Sequence, residues 1–249
     1  VIVRLMKGER VTEKTEWYDL RDAKLQIPPY TYPMMEMAVA SSRSPVGSLN
    51  AGLHGIGMLA MGGTSPDAME AHCTNWRRYE DLARENGHSA DRSKWRIVTF
   101  AHVAETREQA EKDMEYGLNA FRDYFSEVAT FPIIPPDIED PINSLRETQT
   151  ACIGPPDAGF EHFAGMWSGS LGGCGAILLL AHNWANWEAT KKSYELMARY
   201  VHPHFQRGSL TWRKRAYDDA AEKYATAGAA SKAAVEAAIE KHGARKTGL

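Results

Sequence analysis

Four short apolar runs punctuate the chain, at residues 35–40, 56–61, 96–103 and 176–181. Each is apolar on successive positions, the pattern of a strand buried on both faces of a parallel sheet. Between them the spacing changes to three or four. Met69, Cys73, Trp76 and Ala83 share one helical face, as do Ala110, Met114, Gly117, Leu118, Phe121, Phe125 and Val128. Local signals agree. Ser65-Pro66-Asp67 opens the first of these helices, with Gly87 placed as its stop, and Thr106 with Gln109 has the spacing of a capping box. Asn186 is set to cap a further helix that ends before Pro203. Strand and helix therefore alternate, which predicts an α/β fold with a parallel sheet between helices.

Outside this alternation, residues 1–7 read as the end of a helix, and an N-terminal portion is expected to precede them. Residues 9–25 read as a surface hairpin. Pro28, Pro29 and Pro33 force an extended entry into the first strand. Residues 131–149, rich in proline and isoleucine, are an insertion loop expected to fold as a mobile flap over a pocket. A helix is expected to restart at 153–157 and run to Trp167. The alanine-rich tail, 207–249, is expected to form two solvent-side helices, leaving 1–206 as the main domain.

Composition narrows the class. Of 249 residues, 29 are basic and 32 acidic, a net charge of −3, so no bulk field draws the chain to nucleic acid or an anionic membrane. No apolar run approaches the roughly 20 residues of a membrane span. Three cysteines at unpatterned spacing make a disulfide framework a poor reading and a cytoplasmic setting the simpler one. His202 and His204 lack companions for a metal set, and no metal is expected. Nucleophile elbow, Walker loop and dinucleotide fingerprint are all missing.

The candidate chemistry lies at the ends of the strands. Ser41, Ser42, Arg43, Ser44, Gly47 and Ser48 join a strand to a helix, where hydroxyls and free N–H groups suit a phosphate. The same residues also suit an ordinary strand-to-helix turn. Met61 and Gly62 end the second strand. His182 and Trp184 follow the last one, placed either for a reaction and its substrate pocket or for packing.

Several segments resemble the luciferase-like flavin-dependent monooxygenases, in the alkanal and limonene monooxygenase subgroup. They are Trp17-Tyr18 with Leu20-Arg21 through Pro28-Pro29-Tyr30-Thr31, then Ser44-Pro45 with Gly47, and Ala51-Gly52 with His54-Gly55-Ile56-Gly57. The longest runs from Leu178-Leu179 and Ala181-His182-Asn183-Trp184-Ala185 to Pro203-His204-Phe205. The resemblance covers about residues 1–206 and implies a (β/α)8 TIM barrel of which strands five to eight are present, the first half being absent. It implies reduced FMN, supplied by a separate flavin reductase, and O2, with one oxygen atom passing to a small apolar organic substrate such as an aldehyde or terpene. The phosphate would lie on the serine loop, Met61 and Gly62 beside the flavin ring, and His182 and Trp184 near the substrate. The remaining catalytic residues would belong to the absent half. A homo-oligomer is expected, because half a barrel leaves apolar strand edges open. A noncatalytic flavin-binding subunit and a coenzyme F420-dependent oxidoreductase are the alternatives.

Overall fold

The computed structural model describes residues 1–129, 132–135, 137–206 and 209–243. They fall into two compact units, Val1–Tyr194 and Glu195–Leu249. The first unit opens with helix α1 (Ile2–Met6) and an antiparallel hairpin of β1 (Val11–Lys14) and β2 (Asp19–Ala23), the surface hairpin the sequence predicts. The remaining strands pair in parallel: β3 (Ala38–Ser41), β4 (Gly57–Ala60), β5 (Trp95–Val103), β6 (Ala151–Gly154) and β7 (Ala176–Leu179). Helices α2 (Val46–His54), α3 (Pro66–Glu85), α4 (Arg107–Met114), α5 (Leu118–Asp123), α6 (Pro141–Glu147), α7 (Pro156–Gly169) and α8 (Trp187–Leu196) connect and follow them.

β5 organises the sheet. Peptide groups of alternate residues in a strand point to opposite edges. On one edge β5 pairs with β4 through Trp95–Ile97 and then, higher up, with β6 through Phe100–Val103. On the other edge, Trp95 and Thr99 accept bonds from the Gly175 and Leu180 N–H groups at the two ends of β7 (2.7 and 2.9 Å). The order is therefore β3-β4-β5-β7, with β6 stacked beyond β4. Among the described residues, β3 and β7 each keep one edge without a strand partner.

The helix-covered face is closed by aromatic rings. Trp76 of α3 stacks on Trp95 with centroids 4.7 Å apart and planes 13° from parallel, and both are fully buried. A second cluster joins Phe100, Met114, Leu118, Phe121, Ile153 and Trp184.

Three expectations for the first unit change. The helix predicted across 106–128 divides into α4 and α5 at Gly117, whose N–H donates to the Trp184 carbonyl (2.9 Å). A Cβ at 117 would run into the Asn183 carbonyl oxygen, so the chain breaks its helix to let residues 183–184 pass. Residues 151–154 form a strand, not the approach to a helix, because β5 outruns β4 and its upper edge needs a partner; Pro155 and Pro156 then start α7. In the insertion loop, α6 folds as a helix, and Ile134 and Leu145 are buried in the second cluster. These residues build core, where a mobile flap over a pocket was expected. Position 131, where that loop was expected to open, lies outside the described residues.

In the second unit, helical turns at Met197–Val201 lead to α9 (His202–Phe205) and α10 (Ser209–Gly243). The tail expected to be two helices is one of 35 residues, an alanine-rich run with no proline to stop it. Positions 207–208 and 244–249 lie outside the described residues.

The close approach at Gly117 gives a direct test. Gly117→Ala should destabilise the chain by roughly 1–3 kcal/mol, as overpacking does, with a red shift of tryptophan emission as Trp184 loosens. Gly165→Ala, on α7 with nothing within 4 Å of the new methyl, should be neutral or stabilising by about 0.5–1 kcal/mol. Thermal unfolding of the two variants checks both.

Candidate functional site

Because β3, β4, β5 and β7 run in parallel, their carboxyl ends form one rim. β3 ends at Ser41, fully buried, and its hydroxyl has no hydrogen-bond partner. The ladder continues one step beyond it, the Met61 N–H donating to the Ser41 carbonyl (2.8 Å). Ser42, Arg43 and Ser44 are exposed, and α2 begins after Pro45. The Ser44 hydroxyl accepts from the Val46 N–H (3.3 Å), and the Ser48 hydroxyl donates to the Pro45 carbonyl (2.8 Å). Two of the four serines are thus engaged inside the loop itself. Gly47 lies against β3 so closely that a Cβ would collide with the Ala40 carbonyl oxygen, which seats α2's amino end directly on the strand. A helix amino end leaves N–H groups unpaired and carries partial positive charge, so it favours an anion.

Met61 and Gly62 form the neighbouring loop. Met61 is exposed, and a Cβ on Gly62 would lie 3.8 Å from Ser42 and 3.7 Å from the His72 ring. The structure thus brings the Ser41–Ser48 stretch and the Met61–Gly62 pair together.

Two residues missed in the sequence brace this rim. Asn75 Nδ2 donates to the carbonyls of Ser42 (2.8 Å) and Ser44 (3.2 Å). His72 Nε2 donates to the Gly63 carbonyl (3.0 Å), which leaves Nδ1 as an acceptor, buried and without a partner. Burial first, and the nearby Arg43 charge after it, hold the His72 pKa below the usual histidine value. Their signal was present: both are polar residues one turn apart on the apolar face carrying Met69, Cys73 and Trp76.

His182 and Trp184 belong to a separate cluster above β7. His182 Nε2 donates to the Ala101 carbonyl (3.0 Å), and its Nδ1 accepts from the Trp184 N–H (3.4 Å). Ala101 lies on the β7 edge of β5, just past the end of β7, and Val103 on that edge donates to the Ser193 hydroxyl (2.8 Å). Two side chains thus complete the ladder where the strand stops. Trp184 is fully buried, its ring 3.9 Å from His182 and 5.4 Å from Phe100 by centroid. Burial pushes the His182 pKa down to about 4, with the bond to Ala101 opposing and the neighbouring His102 adding to the fall. His102, fully buried, meets Asp113 at 3.1 Å, and burial outweighs that carboxylate, so its pKa is also lowered. Among the described residues no group of three or more His, Cys, Asp and Glu side chains is arranged for a metal, and no helix is long and apolar enough to cross a membrane.

Known proteins resemble this chain in sequence and in fold. The chain is 36% identical over 246 residues to limonene 1,2-monooxygenase of Rhodococcus erythropolis, covering 99% of this chain and 62% of that protein. It is 34% identical over 231 residues to 4-hydroxyprotoasukamycin monooxygenase of Streptomyces nodosus subsp. asukaensis, covering 90% and 61%. Monooxygenase RslO1 of Streptomyces bottropensis superposes with a TM-score of 0.67 at 17% identity, over 82% of this chain and 59% of that one. Along nearly its whole length the chain is similar in sequence to monooxygenases. No family model matches it.

The same fold is seen in the oxygenating constituent of 3,6-diketocamphane monooxygenase of Pseudomonas putida, solved with FMN (TM-score 0.57, 21% identity, 81% and 60% covered). The coenzyme F420-dependent tetrahydromethanopterin reductase of Methanopyrus kandleri matches equally well (TM-score 0.57, 14% identity, 83% and 61% covered). The fold class is therefore the TIM barrel, with the sheet left open among the described residues. The chain spans about three fifths of the length of the curated relatives it matches.

The buried histidines set an acid limit on this luciferase-like fold. An unfolded histidine binds its proton near pH 6.5, whereas His182 in the folded chain does so only at about 4. Below pH 6.5 the unfolded state holds more protons, so stability should fall as pH drops toward 4 and be unaffected by this group above 6.5. At pH 5 the loss is on the order of 2 kcal/mol for such a group. His182→Gln keeps a donor for Ala101 and should flatten the slope by about one proton, read from urea midpoints between pH 7 and 5.

Proposed function

We propose that the chain is the flavin-holding part of a monooxygenase that uses reduced FMN and O2 to oxygenate a small apolar substrate. The observation that carries the reading is the sequence identity to limonene 1,2-monooxygenase along 99% of the chain. The rim agrees with it. A buried hydroxyl without a partner at Ser41 and the amino end of α2 leave unspent hydrogen-bond donors beside the Ser41–Ser48 loop. Residues of this kind fit a phosphate monoester.

In this reading the flavin would supply the redox and oxygen chemistry, and the protein would supply binding and exclusion of water. Ser41, Ser42 and the N–H groups of Gly47 and Ser48 would hold the phosphate, and Arg43 would neutralise it. Met61 and Gly62 would border the ring. Asn75 and His72 would fix the two loops in place. His182 has both ring nitrogens bonded to the main chain, so it would act on the edge of β5 and on Trp184 more than on a substrate. A separate reductase would deliver the reduced cofactor. The open edges of β3 and β7 would favour self-association.

Titration with FMN, riboflavin and F420, followed by fluorescence, tests the reading. FMN should bind, more tightly when reduced, and Ser41→Ala with Ser42→Ala should weaken it by roughly 1–3 kcal/mol, the usual cost of losing hydrogen bonds to a charged group. Riboflavin, lacking the phosphate, should bind weakly and be indifferent to the substitutions. Unchanged FMN affinity in the double variant would remove the serine loop from the site, and preference for F420 would move the chain to hydride transfer.

A further inference from the structure

A cavity of about 490 Å³ lies on the helix-covered face of the sheet, between α3 and α7. That is within the range of about 300–1,000 Å³ typical of small-molecule sites. Its wall includes Met69, Cys73, Met166 and the open backbone of Gly165, and its polar part is Thr64 with His162. No residue of the Ser41–Ser48 loop lines it.

The hydrogen bonds behind this cavity have a fixed direction. The Thr64 hydroxyl donates its one proton to the Gln149 carbonyl (2.7 Å). In the Thr64–Thr99 pair (3.1 Å) Thr64 must therefore accept, and the Thr99 hydroxyl donates. Thr99 has then used its own proton, so in the contact with His162 Nε2 (3.3 Å) the imidazole donates. The chain of donors runs His162 to Thr99 to Thr64 to Gln149. It leaves Nδ1 of His162 as a bare acceptor. Burial holds the ring's pKa down at about 4, so the imidazole is neutral at ordinary pH and Nδ1 keeps its lone pair. The Cys73 thiol is already engaged, donating to the Gly169 carbonyl (3.1 Å).

We propose that this cavity binds a small, neutral, apolar alcohol, its hydroxyl donating to His162 Nδ1 and its hydrocarbon body lying against Met69 and Met166. Nothing in the depth of the cavity neutralises a charge, so a cation would lose hydration there without return. At the mouth Glu70 and Glu161 outnumber Arg77, which disfavours an anion. An ether or hydrocarbon of the same shape would leave the imidazole nitrogen unpaired, and the site should reject it for that reason.

Isothermal titration with cyclohexylmethanol and its methyl ether, on the chain as it stands, tests the assignment. The alcohol should bind at least fivefold more tightly than the ether, and His162→Phe should bring the two to the same affinity. Because that substitution also takes a donor from Thr99, Gly165→Leu provides a second arm that leaves the relay intact. A Cβ at 165 meets nothing within 4 Å, so leucine can enter the void. It should abolish binding of the alcohol while thermal stability and FMN affinity stay as in the parent chain. Equal affinity for alcohol and ether, no binding of the alcohol up to millimolar concentration, or alcohol binding that survives Gly165→Leu would each overturn the proposal. None of these results depends on whether the serine loop holds FMN.

Discussion

A nine-residue strand almost wholly buried needs its main-chain polar groups paired, and β5 meets that requirement with five partners, three strands and two side chains. Two strands of four residues, β4 and β6, share one edge. β7 takes the lower part of the other, and the side chains of His182 and Ser193 take the rest. Much else follows from this. The segment carrying His182 must pass close over α4 and α5, which is why a glycine stands at 117 and why the helix predicted there is two. The insertion must deliver a strand to the upper edge, and its isoleucines and Leu145 then fill the space beneath.

Helix α3 carries the same economy to the rim. One face of it stacks Trp76 on Trp95 and fixes the helix against β5. The next turn toward its amino end offers Asn75 and His72 to the loops after β3 and β4. The proposed phosphate loop is thus held by a helix locked to the longest strand of the sheet, so a site at the surface takes its geometry from the core. The cavity between α3 and α7 borrows from the same frame, since Thr99 of β5 links His162 on α7 to Thr64 beyond β4.

Local pattern was sufficient for the four barrel-type strands, because unbroken apolar runs bounded by glycine and proline have few alternatives. It was also sufficient for the amino end of α3, for the Thr106 cap of α4, where Gln109 donates at 3.2 Å, and for Asn186 before α8. The serine loop was visible for the same reason: its chemistry is local, being hydroxyls and a helix start in consecutive residues.

What the sequence by itself determined, then, is the alternation, the parallel sheet, the loop at Ser41–Ser48 and, through residues from Trp17 to Phe205, a resemblance to luciferase-like monooxygenases. Tertiary structure alone decided the partition of β5's edges, the strand at 151–154, the break at Gly117 and the roles of His72, Asn75, His162 and His182. A hydrogen-bond requirement at one strand is met by residues as many as 90 positions away, as Val103 is by Ser193. Such pairings leave no mark in the periodicity of either segment, because what selects the residue is the unpaired group that the fold brings opposite it.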